Sequence, residues 1–369
     1  MAPAFSSTKQ AAGFALLLLV LLLLPGAVGK SGLPPREQIY SSLWWASGPY
    51  AYLHQQIFEE KGDVDIAFVG ASHIWHGIDT PYVQERLSEK LGRPAVVRSL
   101  CWSLSGYDAL YFITQDLLEH RRVHTLVYYD LYDEEDIPRM PHPLATHWFR
   151  VGDNFAALSG LPLRIKSSYY FAAVLGMPRN LLCWISPNAP ADLFRLSPGS
   201  FLRQENALNP AARLGALTEE LGFRSPVGSQ RDPFVIYSPR PAAGSSAAAI
   251  YSPVTKQEFR FEDFPIPASQ LYFAQKFADL ARDHGCKLVL LHVPVFNERK
   301  SEVIREHLFW PDVLHTEMDM VGIPPAALFR DLRDEDIRKL YGDQAHLNKN
   351  GQAYFTPTIT PTLVELYAR

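Results

Sequence analysis

Short apolar runs alternate with helical patterns at both ends of this 369-residue chain, and this alternation is the feature that most limits its fold. The runs that we interpret as strands are Asp65–Val69, Ala95–Leu100, Thr125–Asp130 and Lys287–Val293. Strands that alternate with helices form a parallel sheet with helices on both faces. The sequence therefore predicts an α/β fold: a three-layer α/β/α sandwich with a mostly parallel, flavodoxin-like sheet.

The helix after the first strand carries clear start and stop signals. Thr80 is its predicted N-cap, Pro81 lies in its first turn and Gly92 ends it. Apolar residues repeat between these signals at every fourth position, at Val83, Leu87 and Leu91. This spacing predicts an amphipathic helix that packs on the sheet.

The middle of the chain, residues 141–265, breaks the α/β pattern. It contains many aromatic residues, predicted short helices around Ile165–Leu175 and a Pro/Gly/Ala/Ser-rich loop at Pro239–Pro253. We therefore expect an insertion or lid with helical and irregular structure. The predicted division is a tether with an N-terminal helix at 30–62, a first half-domain at 63–140, the insertion at 141–265 and a second half-domain at 266–369.

Residues 1–29 form a leucine-rich N-terminal segment. Lys9 precedes an uncharged run whose centre, Phe14–Leu24, is almost entirely leucine, and small residues follow at Pro25–Gly29. This order is typical of a secretory signal peptide, and an uncleaved membrane anchor has a similar composition. Both interpretations predict that residues 30–369 are exported to the periplasm or another extracytoplasmic compartment.

Charge and cysteine content exclude some classes of function. The formal net charge of −4 argues against nucleic-acid binding, which needs a clustered basic face. The three cysteines, Cys101, Cys183 and Cys286, lie in apolar surroundings without a C-x-x-C pair, so we expect buried hydrophobic residues. The chain also lacks G-x-S-x-G, H-E-x-x-H, Walker and dinucleotide glycine motifs.

Two polar motifs lie at opposite ends of the α/β pattern. Ser72 follows the first strand in Gly70-Ala71-Ser72, and Asp343 stands three residues before His346. A serine needs a histidine to take its proton and a carboxylate to orient that histidine. Ser72 is also expected at the carboxyl edge of the sheet, where open α/β sheets bind ligands. We interpret the three residues as a candidate triad; the alternative is that Ser72 and Asp343 only cap turns.

These two blocks resemble those of the SGNH (GDSL-type) hydrolase family. Gly70-Ala71-Ser72 is similar to the first block, and Asp343-Gln344-Ala345-His346 is similar to the last. The residues that follow the two blocks, Gly77-Ile78-Asp79 and Leu347-Asn348, are most similar to the extracytoplasmic, membrane-anchored branch, which includes proteins that take part in acylating cell-envelope polysaccharides. The resemblance covers roughly residues 60–135 and 265–369. It implies that Ser72 is the nucleophile and that Asp343 and His346 complete a triad that requires no cofactor.

The oxyanion hole departs from the family pattern. The resemblance implies backbone donors at Ser72 and Gly106, but the third-block Asn is missing and the strand end there reads Tyr128–Asp133. An ionised Asp130 would only accept hydrogen bonds and would repel a developing oxyanion. We therefore expect slow or specialised acyl transfer rather than fast general esterase activity.

Three further histidines accompany the triad candidates. His73 and His76 flank the serine loop, and local packing or a substrate contact is a better interpretation than a metal pair, since no third ligand stands at a suitable interval. His292 ends a later strand and is expected either in the cleft or in the core. Asn348 is the predicted N-cap of the terminal helix.

The expected function is serine acyl transfer on ester groups, O-acetyl above all, of cell-envelope polysaccharide. The sequence does not choose between an esterase and an O-acyltransferase. The expected partners are an acylated polysaccharide or small ester substrate and a membrane-embedded acyl donor protein. The alternative is a non-catalytic SGNH-like accessory protein that binds a polysaccharide or a membrane partner.

Overall fold

The computed structural model describes the two half-domains, the N-terminal segment and part of the insertion. The described residues are 7–30, 37, 40, 53–101, 107–128, 157–172, 174, 250–251, 268–302 and 319–369. Most of the insertion and the acidic stretch that follows the third strand lie outside them.

A six-stranded sheet organises the described residues, in the order β2-β1-β3-β5-β6-β4. The strands are β1 (Val64–Gly70), β2 (Val97–Cys101), β3 (Val123–Tyr128), β4 (Ile250–Tyr251), β5 (Lys287–Leu291) and β6 (Asp319–Val321). The first five strands in this order run parallel, and β4 pairs antiparallel with β6. Without β4, the strand order is that of flavodoxin-like sheets. The predicted α/β fold with a mostly parallel sheet is therefore confirmed.

Strand β1 lies inside the sheet, and all seven of its residues are buried. It pairs with β2 through Ile66 and Val97, and with β3 through Val64 and Val123. A strand covered on both faces must be mostly apolar on both faces, which explains the apolar run Ile66–Val69. The four predicted strands are confirmed with shifted ends.

Helices cover both faces of the sheet. The helices are α1 (Thr8–Lys30), α2 (Ser72–Gly77), α3 (Thr80–Leu91), α4 (Tyr107–His120), α5 (Ala268–Asp283), α6 (Pro325–Leu328), α7 (Asp334–Arg338) and α8 (Lys349–Ala368), with a π-helical turn at Gln55–Glu59 and a 3₁₀ turn at Phe296–Glu298. Helix α8 packs on α3, and α4 packs on α5. Right-handed crossovers put α3 and α4 on opposite faces, because the chain moves from β1 to β2 and then back to β3.

The N-cap predicted for α3 was wrong by one residue. Asp79, not Thr80, is the N-cap, and its side chain accepts a hydrogen bond from the Tyr82 backbone N–H at 3.3 Å. Thr80 is already helical, so its hydroxyl is too far along the helix for this role. Gly92 ends the helix in the left-handed conformation, at φ 65°, as predicted.

The described part of the insertion packs into the main core. Leu158, Leu161 and Tyr169 belong to the same buried cluster as the sheet residues. The Tyr169 hydroxyl donates a hydrogen bond to the Asp108 carboxylate at 2.9 Å, at the start of α4. The helix predicted in this region is present over 163–172. The outer limits of the insertion stay a prediction.

Helix α1 contains the leucine-rich segment, and most of its leucine side chains are exposed. Within the described part of the chain, none of the helices combines the length and the apolar character needed to cross a membrane.

Candidate active site

Ser72 lies at the carboxyl edge of the sheet. Strand β1 ends at Gly70, which pairs with Cys101 at the end of β2. Ala71 is extended, and Ser72 is the first residue of α2, with its side chain partly buried. The change from strand to helix turns the serine away from the buried strand to the place where sheets of this kind bind ligands.

Asp343 and His346 lie in the loop before α8, and the carboxylate of Asp343 shapes that loop. Its Oδ1 accepts hydrogen bonds from the backbone N–H groups of Ala345, at 2.7 Å, and His346, at 2.8 Å. Its Oδ2 lies 2.8 Å from Nδ1 of the His346 ring. The three-residue spacing thus lets one carboxylate fold the loop and orient the ring.

The structure brings Ser72 and His346 together. Ser72 Oγ lies 2.7 Å from His346 Nε2, although the residues are 274 positions apart. An ionised carboxylate only accepts hydrogen bonds, so the neutral imidazole carries its proton on Nδ1. Nε2 then presents its lone pair to the Ser72 hydroxyl. The order hydroxyl, imidazole, carboxylate is that of a catalytic triad.

Asp343 stays ionised at all but very low pH. Partial burial raises its pKa, but the hydrogen bonds from the His346 ring and from the two backbone N–H groups outweigh this and lower the pKa to about 2. The carboxylate is 59% exposed and the His346 side chain 27% exposed. Asp343 and His346 therefore lie at an open rim that a large substrate can reach.

Hydrogen bonds on both sides hold the loop of Asp343 and His346. The Gly342 N–H donates to the His346 carbonyl at 2.9 Å, and Arg338 Nη1 donates to the Asp343 carbonyl at 2.9 Å. Asn348 caps α8 by accepting from the N–H groups of Asn350 and Gly351, at 2.9 and 3.1 Å, which confirms its predicted role. The loop is thereby fixed to the start of α8.

Helix α8 also holds the chain that follows the serine. The Thr356 hydroxyl accepts from the Asp79 N–H at 2.9 Å and donates to the Gly77 carbonyl at 3.2 Å. Gln352 Nε2 donates to the Ile78 carbonyl at 3.0 Å. One helix therefore positions both halves of the candidate site, which explains how residues from the two ends of the chain meet.

His73 and His76 surround the His346 ring. The His73 ring is buried and lies 4.8 Å from the His346 ring, between centroids, at an angle of 32°. The His76 ring lies 5.3 Å away in an edge-to-face arrangement. Desolvation, followed by repulsion from His346, lowers the pKa of His73 to about 4, and the same causes lower the pKa of His76. His73 is therefore neutral at physiological pH.

The segment after β5 forms a wall of the site. The Phe296 N–H donates to the Gln344 carbonyl at 3.0 Å, next to Asp343. Val293 packs so closely on Gly77 that a Cβ there would meet Val293 Cγ1 at 2.9 Å. His292 is buried, and its Nε2 lies 3.0 Å from Glu298 Oε2.

Sequence reasoning missed Glu298. It follows His292 by six residues in an irregular segment, so no periodic pattern pairs the two side chains. A carboxylate shortly after a strand-ending histidine is the one signal that was available. The structure thus places the buried His292 side chain beside the Glu298 carboxylate, behind the wall of the site.

Of the two backbone donors predicted for the oxyanion hole, the structure describes Ser72 but not Gly106. Ser72 is the first residue of α2, where a backbone N–H has no intrahelical acceptor. Gly106 and Asp130 lie outside the described residues.

Within the described ranges, no group of three or more His, Cys, Asp or Glu side chains is arranged to hold a metal ion.

Comparisons of this chain with protein-family models, with curated proteins and with solved structures find no match. The SGNH resemblance therefore stays a prediction that depends on the two sequence blocks. Five predicted site residues lie together in the structure: Ser72, His73, His76, Asp343 and His346.

Proposed function

We propose that this protein is an exported, SGNH-type serine acyl-transfer enzyme that acts on ester groups of cell-envelope polysaccharide. The observation that carries the proposal is the hydrogen-bonded series from Ser72 through His346 to Asp343 at the carboxyl edge of the sheet. This arrangement supplies a nucleophile, a base and a group that orients the base.

In the first half-reaction Ser72 takes the acyl group. Its Oγ attacks the ester carbonyl, and its proton moves to His346 Nε2, which lies 2.7 Å away. The tetrahedral intermediate collapses when the bond to the alcohol oxygen breaks, and His346 returns the proton to that leaving oxygen. The products are the free alcohol and an acyl ester on Ser72.

In the second half-reaction His346 takes a proton from water or from a sugar hydroxyl. The resulting oxygen nucleophile attacks the acyl carbonyl, the bond to Ser72 Oγ breaks, and His346 returns the proton to Ser72. Water as the acceptor makes the enzyme an esterase, whereas a sugar hydroxyl makes it an O-acyltransferase. This chemistry requires no cofactor.

The electrostatics of the site favour the charge that develops on His346. Asp343 remains anionic down to a pKa of about 2, so it stabilises the imidazolium of His346. The neighbouring His73, whose pKa is lowered to about 4, is neutral and adds no competing positive charge near pH 7. The exposed rim at Asp343 leaves space for a polymer chain beside the nucleophile.

The substrate and location are proposed from the sequence. The resemblance to the membrane-anchored branch favours acetylated polysaccharide, with a membrane-embedded protein as the acyl donor. The leucine-rich segment before residue 30 favours export. Asp130 in place of the family Asn favours the second candidate, a non-catalytic accessory protein that binds the polysaccharide or a membrane partner.

Labelling with a fluorophosphonate separates the two candidates. Attack by Ser72 would form an Oγ–P bond and release fluoride, while His346 takes the proton. We expect a single adduct at Ser72, complete loss of labelling in Ser72→Ala and nearly complete loss in His346→Ala. His124→Ala, which removes an exposed histidine near the other edge of the sheet, is the matched control and should label normally.

Peptide mapping decides the outcome of this experiment. If no adduct forms at Ser72 under conditions that label a known serine esterase, the accessory-protein function becomes the better proposal.

A further inference from the structure

Exposed large apolar side chains occur in two segments of the described residues. One segment is α1, and the other is the 163–172 helix of the insertion. The side chains are Phe14, Leu16, Leu17, Leu18, Leu19, Val20, Leu21, Leu23, Leu24, Leu163 and Phe171. Large apolar side chains in water carry a free-energy cost, so a patch of this kind marks a surface that is covered in use.

In α1 the exposed side chains cover the whole circumference of the helix. The residues Leu16–Leu21 are each 38% to 62% exposed. Since an α-helix has about 3.6 residues per turn, successive exposed residues face all directions. A protein groove would cover only one face of such a helix, so exposure on all faces favours contact with lipid.

The 163–172 helix presents an apolar and basic face. Leu163 is 77% exposed and Phe171 is 57% exposed, and the exposed Arg164 lies beside Leu163. The hydroxyls of Ser167 and Ser168 donate to the carbonyls of Leu163 and Ile165 at 2.8 and 2.7 Å, so each of these donors is satisfied within the helix. Apolar side chains next to a cation are typical of helices that lie at a lipid headgroup surface.

A direct contact joins the two segments. The Tyr170 hydroxyl donates a hydrogen bond to the Leu22 carbonyl of α1. This contact places the helix that carries Leu163 and Phe171 against α1. The contact with α1, together with the basic charge of Arg164, favours lipid as the occupant over another protein.

This surface lies at the same edge of the sheet as the candidate active site. Tyr169 donates its hydrogen bond to Asp108 at the start of α4, and α4 begins where β2 ends. Ser72 follows the end of β1, which is parallel to β2. The 163–172 helix and Ser72 are thus both at the carboxyl edge.

We infer that the exposed face of the 163–172 helix rests on the surface of a lipid bilayer beside α1. The lipid contact depends on the apolar and basic side chains alone. Its consequence, that the carboxyl edge receives an acyl group from the membrane side, rests on the proposed function.

Fluorescent labels report the lipid contact directly. The environment-sensitive dye NBD is attached to a cysteine at position 163 or 171, through Leu163→Cys or Phe171→Cys, in full-length protein that carries Cys183→Ser. Cys101 and Cys286 are buried and need no replacement. The protein is bound to vesicles of phosphatidylcholine and phosphatidylglycerol, with or without bromine on the acyl chains. Lys90→Cys provides a control label on an exposed position of α3, on the other face of the sheet.

We expect a blue-shifted emission and quenching by brominated lipid at positions 163 and 171, and neither effect at position 90. Ser72→Ala should give the same result, so failure of the proposed function would leave this contact intact. The inference is overturned if both labels keep their aqueous emission on vesicle-bound protein. It is also overturned if the blue shift occurs without vesicles and grows with protein concentration, because a second copy of the chain would then cover the surface.

Discussion

A carboxylate links each end of β1 to α8 or to the loop before it, and the carboxylate at the carboxyl end also orients an imidazole that faces a hydroxyl. At the amino end, Asp65 accepts a hydrogen bond from the Tyr367 hydroxyl near the end of α8, at 2.5 Å. At the carboxyl end, Ser72 meets His346, whose ring is held by Asp343 just before α8. The two carboxylates differ in what their hydrogen-bond donors contact, and we propose that only Asp343 takes part in catalysis.

At the amino end every partner of the carboxylate donates to it. Asp65 accepts from Arg93 Nη1 and Nη2, at 3.1 and 2.5 Å, and from the Val96 N–H at 2.7 Å, as well as from Tyr367. Burial raises the pKa of Asp65, but these hydrogen bonds outweigh it and lower the pKa below its ordinary value. None of these donors orients a base towards a hydroxyl, so we interpret the cluster as structural.

At the carboxyl end the carboxylate is equally well satisfied, but one of its donors is an imidazole. The opposite nitrogen of that ring faces a hydroxyl, so a proton can move from Ser72 to His346 while Asp343 stays ionised. The proposed function thus depends on the hydroxyl that the His346 imidazole faces, and not on how many hydrogen bonds the carboxylate accepts.

The largest expected effect is on reactivity at the carboxyl end. Asp343→Asn keeps the size of the side chain but no longer fixes the proton on His346 Nδ1. We expect the rate of fluorophosphonate labelling at Ser72 to fall by about 10³–10⁴-fold, as the loss of the correct tautomer does in other triads. Thermal melting should change by only a few degrees, because the carboxylate is 59% exposed. A normal labelling rate in Asp343→Asn would mean that Asp343 only stabilises its loop.

The next effect is on the pH dependence of the free energy of unfolding, which should differ between the two ends of β1. Burial lowers the pKa of His73 from 6.5 to about 4, so the unfolded chain binds more protons between these values. Stability contributed by neutral His73 is therefore present above pH 6.5 and is lost as the pH falls towards 4, by about 3 kcal/mol. The groups whose charges act on His73 are His346, Asp343, His76 and Glu298.

Urea unfolding at a series of pH values tests this assignment. His73→Gln should reduce the dependence of the unfolding free energy on pH between 6.5 and 4, while His76, whose pKa is also lowered, keeps its own share. Asp65→Asn should leave this interval unchanged, because the pKa of Asp65 is lowered from 3.8 and its contribution is lost only below that pH. An unchanged slope in His73→Gln would contradict the assignment.

A smaller effect is expected on stability at the amino end. Asp65→Asn places an amide among groups that all donate, and it removes the charge opposite Arg93. The free energy of unfolding should fall by about 2 kcal/mol, the order expected for breaking buried hydrogen bonds to a charged group. Labelling at Ser72 should keep its normal rate in the folded protein. A large loss of labelling with unchanged stability would reverse the roles given to the two ends.

The smallest effect is expected at the start of α8, which lies between the two clusters. Asn348→Ala removes the helix cap and the hydrogen bond from Nδ2 to the Lys339 carbonyl. The free energy of unfolding should fall by about 1 kcal/mol, as for other N-cap replacements. Asn348→Asp keeps the capping oxygen and should recover part of the loss. Equal stability in Asn348→Ala would mean that the cap does not hold the loop of His346.

Local patterns in the sequence predicted the strands, the main helices and the residues of the candidate triad. The apolar run of β1 and the cap at Asn348 are encoded by neighbouring residues, so they could be recognised without a structure. Ser72 and His346 were predicted to interact because a nucleophilic serine requires a base. No sequence signal indicated that they are close in space.

Contacts between distant residues could not be predicted in the same way. Asp65 was interpreted as the first residue of a buried strand, and nothing in the sequence links it to Tyr367, 302 positions away. The pair of His292 and Glu298 depends on an irregular turn that no periodicity describes. The N-cap of α3 was misplaced for a local reason, because Asp79 and Thr80 are adjacent and both residue types cap helices.

Detection of an acyl-enzyme on Ser72 tests the central claim most directly. The protein is mixed with a small aryl acetate, quenched in acid after a short interval, and analysed by intact and peptide mass. The account predicts the mass of one acetyl group on the peptide that contains Ser72, formed equally in Asp65→Asn and absent in Ser72→Ala. No acetylated peptide, or acetyl groups only on other residues, would contradict the claim that the carboxyl end of β1 is a catalytic site.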